Sequence, residues 1–216
     1  MIGLLPPGGG LDVLCVGAHP DDIEIGCGGT LLGLVGRPGT TVAGLVLTGT
    51  VERREEAEAA LPEFFPGATA RVLDLPDGRL PAHWDAVKEA LEDSARDLRP
   101  TVVLAPRADD AHQDHSLLGR LVSTVWRDAV ILHYEIPKWD GDLRSPNVYV
   151  RLTEDEARRK IELLHRCFPS QRMRDWWDDE LFSGLLRLRG MESRSRYAEG
   201  FVSDKLVLDL DGGRPR

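Results

Sequence analysis

The chain of 216 residues has little cysteine, only three residues. An odd number without paired spacing excludes a disulfide framework. Cys15, Cys27 and Cys167 read as reduced, small apolar side chains in a cytoplasmic protein. No apolar run approaches the ~20 residues that cross a bilayer, so no membrane span is expected. Residues 1–10 have neither a basic segment nor a long apolar core. They read as a flexible leader, not a signal peptide, with Pro6-Pro7 and Gly8-Gly9-Gly10 keeping it loose. Basic residues are outnumbered by acidic ones, 27 to 36. The net charge of -9 disfavours nucleic acid and anionic membrane as partners. Repeats, low-complexity tracts and dividing linkers are missing, which leaves one domain over residues 11–210 and a tail at 211–216.

What is present is an alternation of apolar strands and amphipathic helices. Leu11 to Gly17 is short and mostly apolar, as a buried parallel strand is. A helix is expected from Gly28 to Val35, with Cys27 in a glycine-rich turn before it. Strands follow at 41–47, 71–73, 101–105, 129–134, 147–152 and 201–208. Helices are expected at 51–61, 84–98, 116–127 and 175–188. Another helix, opened by a capping box at Thr153-Glu154-Asp155-Glu156, runs to about Cys167. The pattern gives an α/β fold of three layers, Rossmann-like, with a mostly parallel sheet between helices.

Two loops carry the chemistry. Ala18-His19-Pro20-Asp21-Asp22 follows the first strand, and Ala111-His112-Gln113-Asp114-His115 follows the strand at 101–105. Open α/β sheets hold their ligands outside the carboxyl ends of the strands. If the two strands bring these loops to one edge, His19, Asp22 and His115 form a His₂Asp set of the kind that binds catalytic Zn²⁺ with a position left open. Geometry alone does not separate Zn²⁺ from Fe²⁺ or another divalent metal. Asp21 would remain as general base and His112 to stabilise an oxyanion or protonate the leaving group, with Asp114 fixing the tautomer of His112. Either loop alone is equally well explained by helix capping, through Asp21, Asp22 or Asp114.

The two motifs resemble those of the PIG-L/LmbE-like N-acetylglucosaminyl deacetylase family, AHPDDxExxxGGT and HxDH, in order and spacing. Arg53-Arg54-Glu55-Glu56, Pro76-Asp77-Gly78, Phe168-Pro169-Ser170-Gln171 and Tyr197-Ala198-Glu199-Gly200-Phe201 add to the resemblance, which spans about residues 11 to 208. It implies an LmbE-like fold and a zinc-dependent hydrolase acting on an N-acetylglucosamine-type amino sugar or its glycoside, with acetate and a free amine as products. It implies His19, Asp22 and His115 as metal ligands, Asp21 as general base, and His112 at the tetrahedral intermediate or leaving amine with Asp114 tuning it. Arg53 and Asp77 are implied to contact substrate. Where some members carry a Tyr shortly before the second motif, this chain has Asp109-Asp110-Ala111.

Other residues carry two readings each. One of Trp176-Trp177 is core, and the other packs or covers the pocket. Tyr134-Glu135 and the pair Tyr197 and Glu199 are candidates to line the site. Arg187, Arg189, Arg194 and Arg196 form a solvated face or a pocket for an anionic substrate group. His83, His133 and His165 read as structural. Rival functions are an amidohydrolase for another small N-acyl compound, a non-catalytic sugar-binding protein and a nucleotide-binding protein. The last conflicts with Ala18-His19-Pro20 standing where a dinucleotide site needs glycine. A non-catalytic site has no use for Asp21 and His112. A homo-oligomer is left open.

Overall fold

A computed structural model describes residues 9–207. Most of the expected leader and all of the expected tail lie outside the described residues. The elements are β1 (Asp12–Gly17), α1 (Asp22–Leu34), β2 (Thr41–Thr48), α2 (Val51–Phe64), β3 (Thr69–Leu75), α3 (Trp84–Asp97), β4 (Val102–Pro106), α4 (Gln113–Val125), β5 (Val130–Tyr134), β6 (Val148–Leu152), α5 (Glu154–Cys167), α6 (Asp179–Glu192) and β7 (Tyr197–Val202). The strands form one sheet in the order β3-β2-β1-β4-β5-β7-β6. Strands β1 to β5 pair in parallel, and β7 runs antiparallel to both β5 and β6.

Alternation along β1 builds both cores. Leu14 and Val16 pack with Leu45, Val103, Leu91 and Leu118 on the face of the sheet covered by α3 and α4. Val13 and Cys15 pack with Ile23, Phe64, Leu163 and Phe168 on the face covered by α1, α2 and α5. A strand buried on both faces reads as a continuous apolar run, which is why the central strands were legible. The capping box at α5 forms as expected: Glu156 N donates to Thr153 Oγ1 at 3.2 Å, and Thr153 N donates to Glu156 Oε2 at 2.7 Å.

Several boundaries differ from the sequence reading. Helix α1 begins at Asp22, six residues before the expected start, and takes in the supposed glycine-rich turn with Cys27. It is buried from Asp22 to Leu31, so it has no polar face and no amphipathic period to reveal it. Helix α2 continues through Pro62 to Phe64. Helix α4 starts at Gln113 instead of Ser116, and α6 is displaced to Asp179–Glu192. The last strand lies at Tyr197–Val202, earlier than expected, and Leu208 lies outside the described residues.

The glycines of α1 sit where neighbouring side chains press on the helix. A Cβ on Gly26 would lie 2.2 Å from a ring carbon of Tyr134, and one on Gly28 would lie 2.6 Å from Phe64. Tyr134 cannot swing away freely, because it is fully buried and its hydroxyl donates to Val16 O at 2.8 Å. Gly→Ala inside a helix ordinarily stabilises by about 1 kcal/mol. Here Gly26→Ala is expected to destabilise instead, by about 2 kcal/mol, as overpacked cores do. Urea unfolding of the variant would show a midpoint below that of the parent; a higher midpoint would mean that the ring relaxes at no cost.

Candidate active site

Strands β1 and β4 are neighbours, and from them the chain winds in opposite directions across the sheet. Their carboxyl ends are therefore the switch point of an open α/β sheet, where a crevice forms. The loop after β1 delivers His19 and Asp21 and opens α1 at Asp22; the loop after β4 delivers Asp110 and His112 and opens α4, whose first turn carries Asp114 and His115.

All six motif residues come together. His19 Nδ1 lies 3.1 Å from His115 Nε2 and 3.5 Å from Asp22 Oδ2, and His115 Nε2 lies 3.3 Å from Asp22 Oδ1. The rings of His19, His112 and His115 have centroids 4.8 to 5.1 Å apart. Two further groupings have ligand atoms within 4.8 Å of one another: His19, His112 and His115, and His19, Asp77 and Asp114. The second surrounds the other nitrogen of His19, whose Nε2 is 3.1 Å from Asp77 Oδ1 and 3.2 Å from Asp114 Oδ2.

The carboxylates do not act as ordinary helix caps. Asp21 occupies the N-cap position of α1 but makes no side-chain cap bond. Its backbone is left-handed, with φ 94°, a conformation rare outside glycine and enriched in Asn and Asp at functional sites. Its Oδ2 accepts from Arg53 Nη2 at 2.9 Å, and the same guanidinium donates to Pro20 O. Asp22 Oδ2 accepts from the backbone N–H of Ala18 at 2.9 Å and of His19 at 2.8 Å, which folds the loop around its carboxylate. Asp114 accepts from Gly78 N at 2.8 Å and Leu80 N at 3.0 Å. That ties the Pro76-Asp77-Gly78 turn to the site and explains how Asp77 reaches His19.

One expected pairing changes. The carboxylate of Asp114 faces His19; its backbone N–H, instead, donates to His112 Nδ1 at 3.3 Å. With Nδ1 accepting, a neutral His112 carries its proton on Nε2 by assignment from the hydrogen-bond pattern.

Electrostatics separates the groups. Burial resists a cation at His19, but Asp22, Asp114 and Asp77 overcome it and push the imidazole up to about 12. The same contest at His115, with Asp22 and Asp110 as the partners, raises it to about 9. Burial and the neighbouring His115 and His19 hold His112 below its ordinary value, which favours its neutral form. Asp22 is buried, yet His115 and His19 keep it well below the usual carboxylate range. Burial pushes Asp21 up to about 7 against the pull of Arg53. One carboxylate is thus held ionised among imidazoles while its neighbour is poised near neutrality, a division seen where one acid binds and the other transfers protons.

Asp110 is the residue that sequence reasoning missed. Its Oδ2 lies 3.3 Å from His115 Nδ1, on the side of the ring away from Asp22, and its Oδ1 accepts from His112 N at 2.8 Å. Lys138, from the loop after β5, donates to Asp110 Oδ2 at 2.8 Å. A carboxylate behind a ligand imidazole is a recurring feature of metal sites, and a position two residues before the first His of the motif was the available signal.

Other candidates lie elsewhere. Tyr134 is core, and Glu135 takes a bidentate ion pair from Arg189 at 2.6 and 2.7 Å. Arg189 is therefore buried and engaged, not part of an anion pocket. Glu199 is buried against Lys160 and α1. Trp176 and Trp177 stack edge to face at 5.4 Å and pack on the core. His133 and His165 are structural, with His133 Nδ1 2.7 Å from Pro106 O and His165 Nε2 2.6 Å from Asp179 Oδ1. Cys15, Cys27 and Cys167 are free. No helix among the described residues is long and apolar enough to cross a membrane.

A doubly wound sheet with imidazoles and carboxylates at its switch point defines the chain as an α/β protein with a candidate metal-binding catalytic centre. Comparison with known proteins gives the family. Residues 14–126 match the PIG-L model, described as GlcNAc-PI de-N-acetylase, and the chain belongs to that family. The uncharacterized deacetylase YaiS of Escherichia coli is 31% identical over 168 residues, covering 71% of this chain and 89% of that protein. The diacetylchitobiose deacetylase of Thermococcus kodakarensis is 33% identical over 222 residues, covering 87% and 81%. Among solved structures, the conserved protein TT1542 of Thermus thermophilus superposes with a TM-score of 0.75 at 26% identity, covering 95% of this chain and 100% of the other. The N,N'-diacetylchitobiose deacetylase of Pyrococcus horikoshii, at 24% identity and a TM-score of 0.70 over 89% and 83% of the two chains, shares the fold.

Proposed function

We propose that this protein is a zinc-dependent deacetylase that hydrolyses the N-acetyl group of an N-acetylglucosamine-type amino sugar or its glycoside. The observation that carries the reading is the division of labour at one sheet edge: His19, Asp22 and His115 converge, while Asp21 is held beside them by Arg53. The relatives support the substrate class. Besides the Thermococcus protein, the 2'-N-acetylparomamine deacetylase of Streptomyces fradiae is 33% identical over 136 residues, about half of each chain.

The residues suit a divalent cation. The donor set is two imidazoles and a carboxylate, Asp22 stays ionised in a buried place, and Asp110 stands behind His115. His19, Asp22 and His115 would hold the metal, which supplies Lewis acidity to the amide carbonyl and acidifies water. Asp21 takes a proton from the attacking water as its oxygen bonds to the acetyl carbon. His112, neutral and protonated on Nε2, donates a hydrogen bond to the developing oxyanion. Asp21 then returns the proton to the departing nitrogen as the C–N bond breaks, leaving acetate and the free amine. Arg53 holds Asp21 in place, and Asp77 contacts the sugar at the rim. A cytoplasmic location agrees with three free cysteines.

The test is amine release from a panel of N-acetylglucosamine derivatives by metal-stripped protein, with and without added Zn²⁺ or Fe²⁺. Release that depends on metal is expected, at about one equivalent bound. Metal bound without release from any sugar would move the substrate to another N-acyl compound, and no metal binding would overturn the assignment of the ligands.

A further inference from the structure

We infer that Lys138 is a positioning residue for the proposed metal centre: it fixes the carboxylate of Asp110, and Asp110 in turn holds His115 with Nε2 turned to the metal. The inference rests on the reading of His19, Asp22 and His115 as ligands and adds a further layer behind them. Lys138 lies in the loop after β5, and its side chain is only 13% exposed. Its ammonium has three protons and three oxygens in reach of them: Asp110 Oδ2 at 2.8 Å, Asp142 Oδ1 at 2.9 Å and Ile136 O at 3.3 Å. With every donor engaged inside the chain, the cation serves the protein and not a substrate.

Asp110 is the piece it holds. The Asp110 side chain is 2% exposed, and both of its oxygens are placed. Oδ1 accepts from His112 N at 2.8 Å, which sets the carboxylate against its own loop. Oδ2 takes Lys138 and also stands 3.3 Å from His115 Nδ1. That nitrogen is buried and has no well-aligned hydrogen bond, a gap that a small turn of the ring toward Oδ2 closes. Bonds of this kind tighten when a ligand arrives. Asp142 braces the pair: its Oδ2 accepts from Ala111 N at 2.7 Å, and its carbonyl accepts from Arg107 Nη1 at 3.1 Å. The loop after β5 therefore grips the loop after β4 at residues 107, 110 and 111, directly before His112.

An ionised carboxylate only accepts. A neutral His115 that faces one carries its proton on Nδ1, which leaves the lone pair on Nε2. Nε2 is the atom that lies 3.1 Å from His19 Nδ1 and 3.3 Å from Asp22 Oδ1, where the ligand atoms converge. A carboxylate behind a ligand imidazole fixes tautomer and ring orientation in this way, and losing it typically costs about 10–100-fold in metal affinity. Asp110 does this only while its own rotamer is held, and Lys138 is the cation that holds it.

The experiment measures Zn²⁺ affinity, by competition with a chelator of known affinity, for the wild-type chain, Lys138→Met, Lys138→Arg, Asp110→Asn and the double variant Lys138→Met/Asp110→Asn. Circular dichroism of each metal-free protein shows whether it is folded. Lys138→Met is expected to bind Zn²⁺ about tenfold more weakly, and Lys138→Arg, which keeps the cation, within about threefold of wild type. Asp110→Asn can turn an amide N–H toward Nδ1 and favour the wrong tautomer, and it is also expected to lose about tenfold. Because Lys138 acts through Asp110, the double variant is expected to match Asp110→Asn. A further loss of about tenfold in the double variant would overturn the proposal, since Lys138 would then act by another route. That comparison decides even where Lys138→Met alone, with its stranded carboxylate, does not fold. Wild-type affinity in Lys138→Met or in Asp110→Asn would overturn the proposal alone and leave the ligand set intact. A wild-type protein that binds no Zn²⁺ would overturn the ligand set and this proposal together.

Discussion

Replacing Asp21 with asparagine is expected to lower kcat by about 10³-fold, within the range that general-base catalysis contributes, while the protein keeps its fold and its metal. Asparagine is the right probe for three reasons. The position has φ 94°, and Asn is the non-glycine residue, with Asp, that enters the left-handed region most readily. The amide oxygen still accepts from Arg53, so the bond at 2.9 Å has a replacement. The proposed metal ligands are His19, Asp22 and His115, so metal content is expected to stay near that of the parent. What Asn cannot do is take a proton from water. Steady-state kinetics on the best acetylated sugar, with metal analysis on the same sample, separates the roles. Turnover within tenfold of wild type would remove Asp21 as the base. Loss of the metal along with activity would make Asp21 a ligand.

Most of this site was legible because its residues arrive in two short segments, each at the carboxyl end of an apolar strand. His19, Asp21 and Asp22 need only one turn of chain, and His112, Asp114 and His115 need four residues. Asp110 was harder, since a carboxylate in an Asp-rich loop has no special mark until His115 is seen to face it. Lys138 comes from the loop after a third strand, β5, and nothing local ties it to Asp110. The fold divides in the same way. β1, β2 and β4 were plain because they are buried on both faces, and α3 and α5 because each has one apolar face. Helix α1 was misplaced because burial on all sides erases the period. The antiparallel course of β7 and its position between β5 and β6 are decisions of the sheet as a whole, invisible in Tyr197-Ala198-Glu199-Gly200.

The carboxylate–imidazole cluster also explains why the loops hold their shape. Asp22 gathers two backbone N–H groups of its own loop, and Asp114 gathers two from the turn after β3. Asp22 and Asp114 therefore face the centre and fasten backbone at once, while Asp21 holds Arg53, whose guanidinium also donates to Pro20 O. A substitution that removes one loses a chemical role and a structural one together, which is why the Asn probe at Asp21, with its acceptor kept, is more informative than alanine.

The largest loss of stability is expected at Lys160, far from the chemistry in sequence. Lys160 and Glu199 are each 3% exposed and meet at 2.6 Å. Both reach into the middle of α1: Lys160 Nζ donates to Ile25 O at 2.6 Å, and Glu199 accepts from Gly29 N at 2.8 Å, Thr30 N at 2.7 Å and Thr30 Oγ1 at 2.6 Å. Backbone groups in mid-helix are thus bonded to an ion pair from α5 and β7. Lys160→Met leaves Glu199 buried without its cation and is expected to cost about 3–5 kcal/mol, the usual result of breaking one side of a buried pair. For a chain of this size that lowers Tm by about 10 °C. Lys160→Met combined with Glu199→Gln is expected to lose less than the sum of the two single changes, because the second removes the charge that the first strands. Helix α1 begins at Asp22, so loosening its middle also loosens a proposed ligand. Added Zn²⁺ should therefore raise the Tm of Lys160→Met, since a ligand that binds only the folded state stabilises it. Thermal melts of the four proteins decide the matter. Additive losses would mean that the two charges act independently, and an unchanged Tm in Lys160→Met would mean that water reaches Glu199 and the pair does not hold α1.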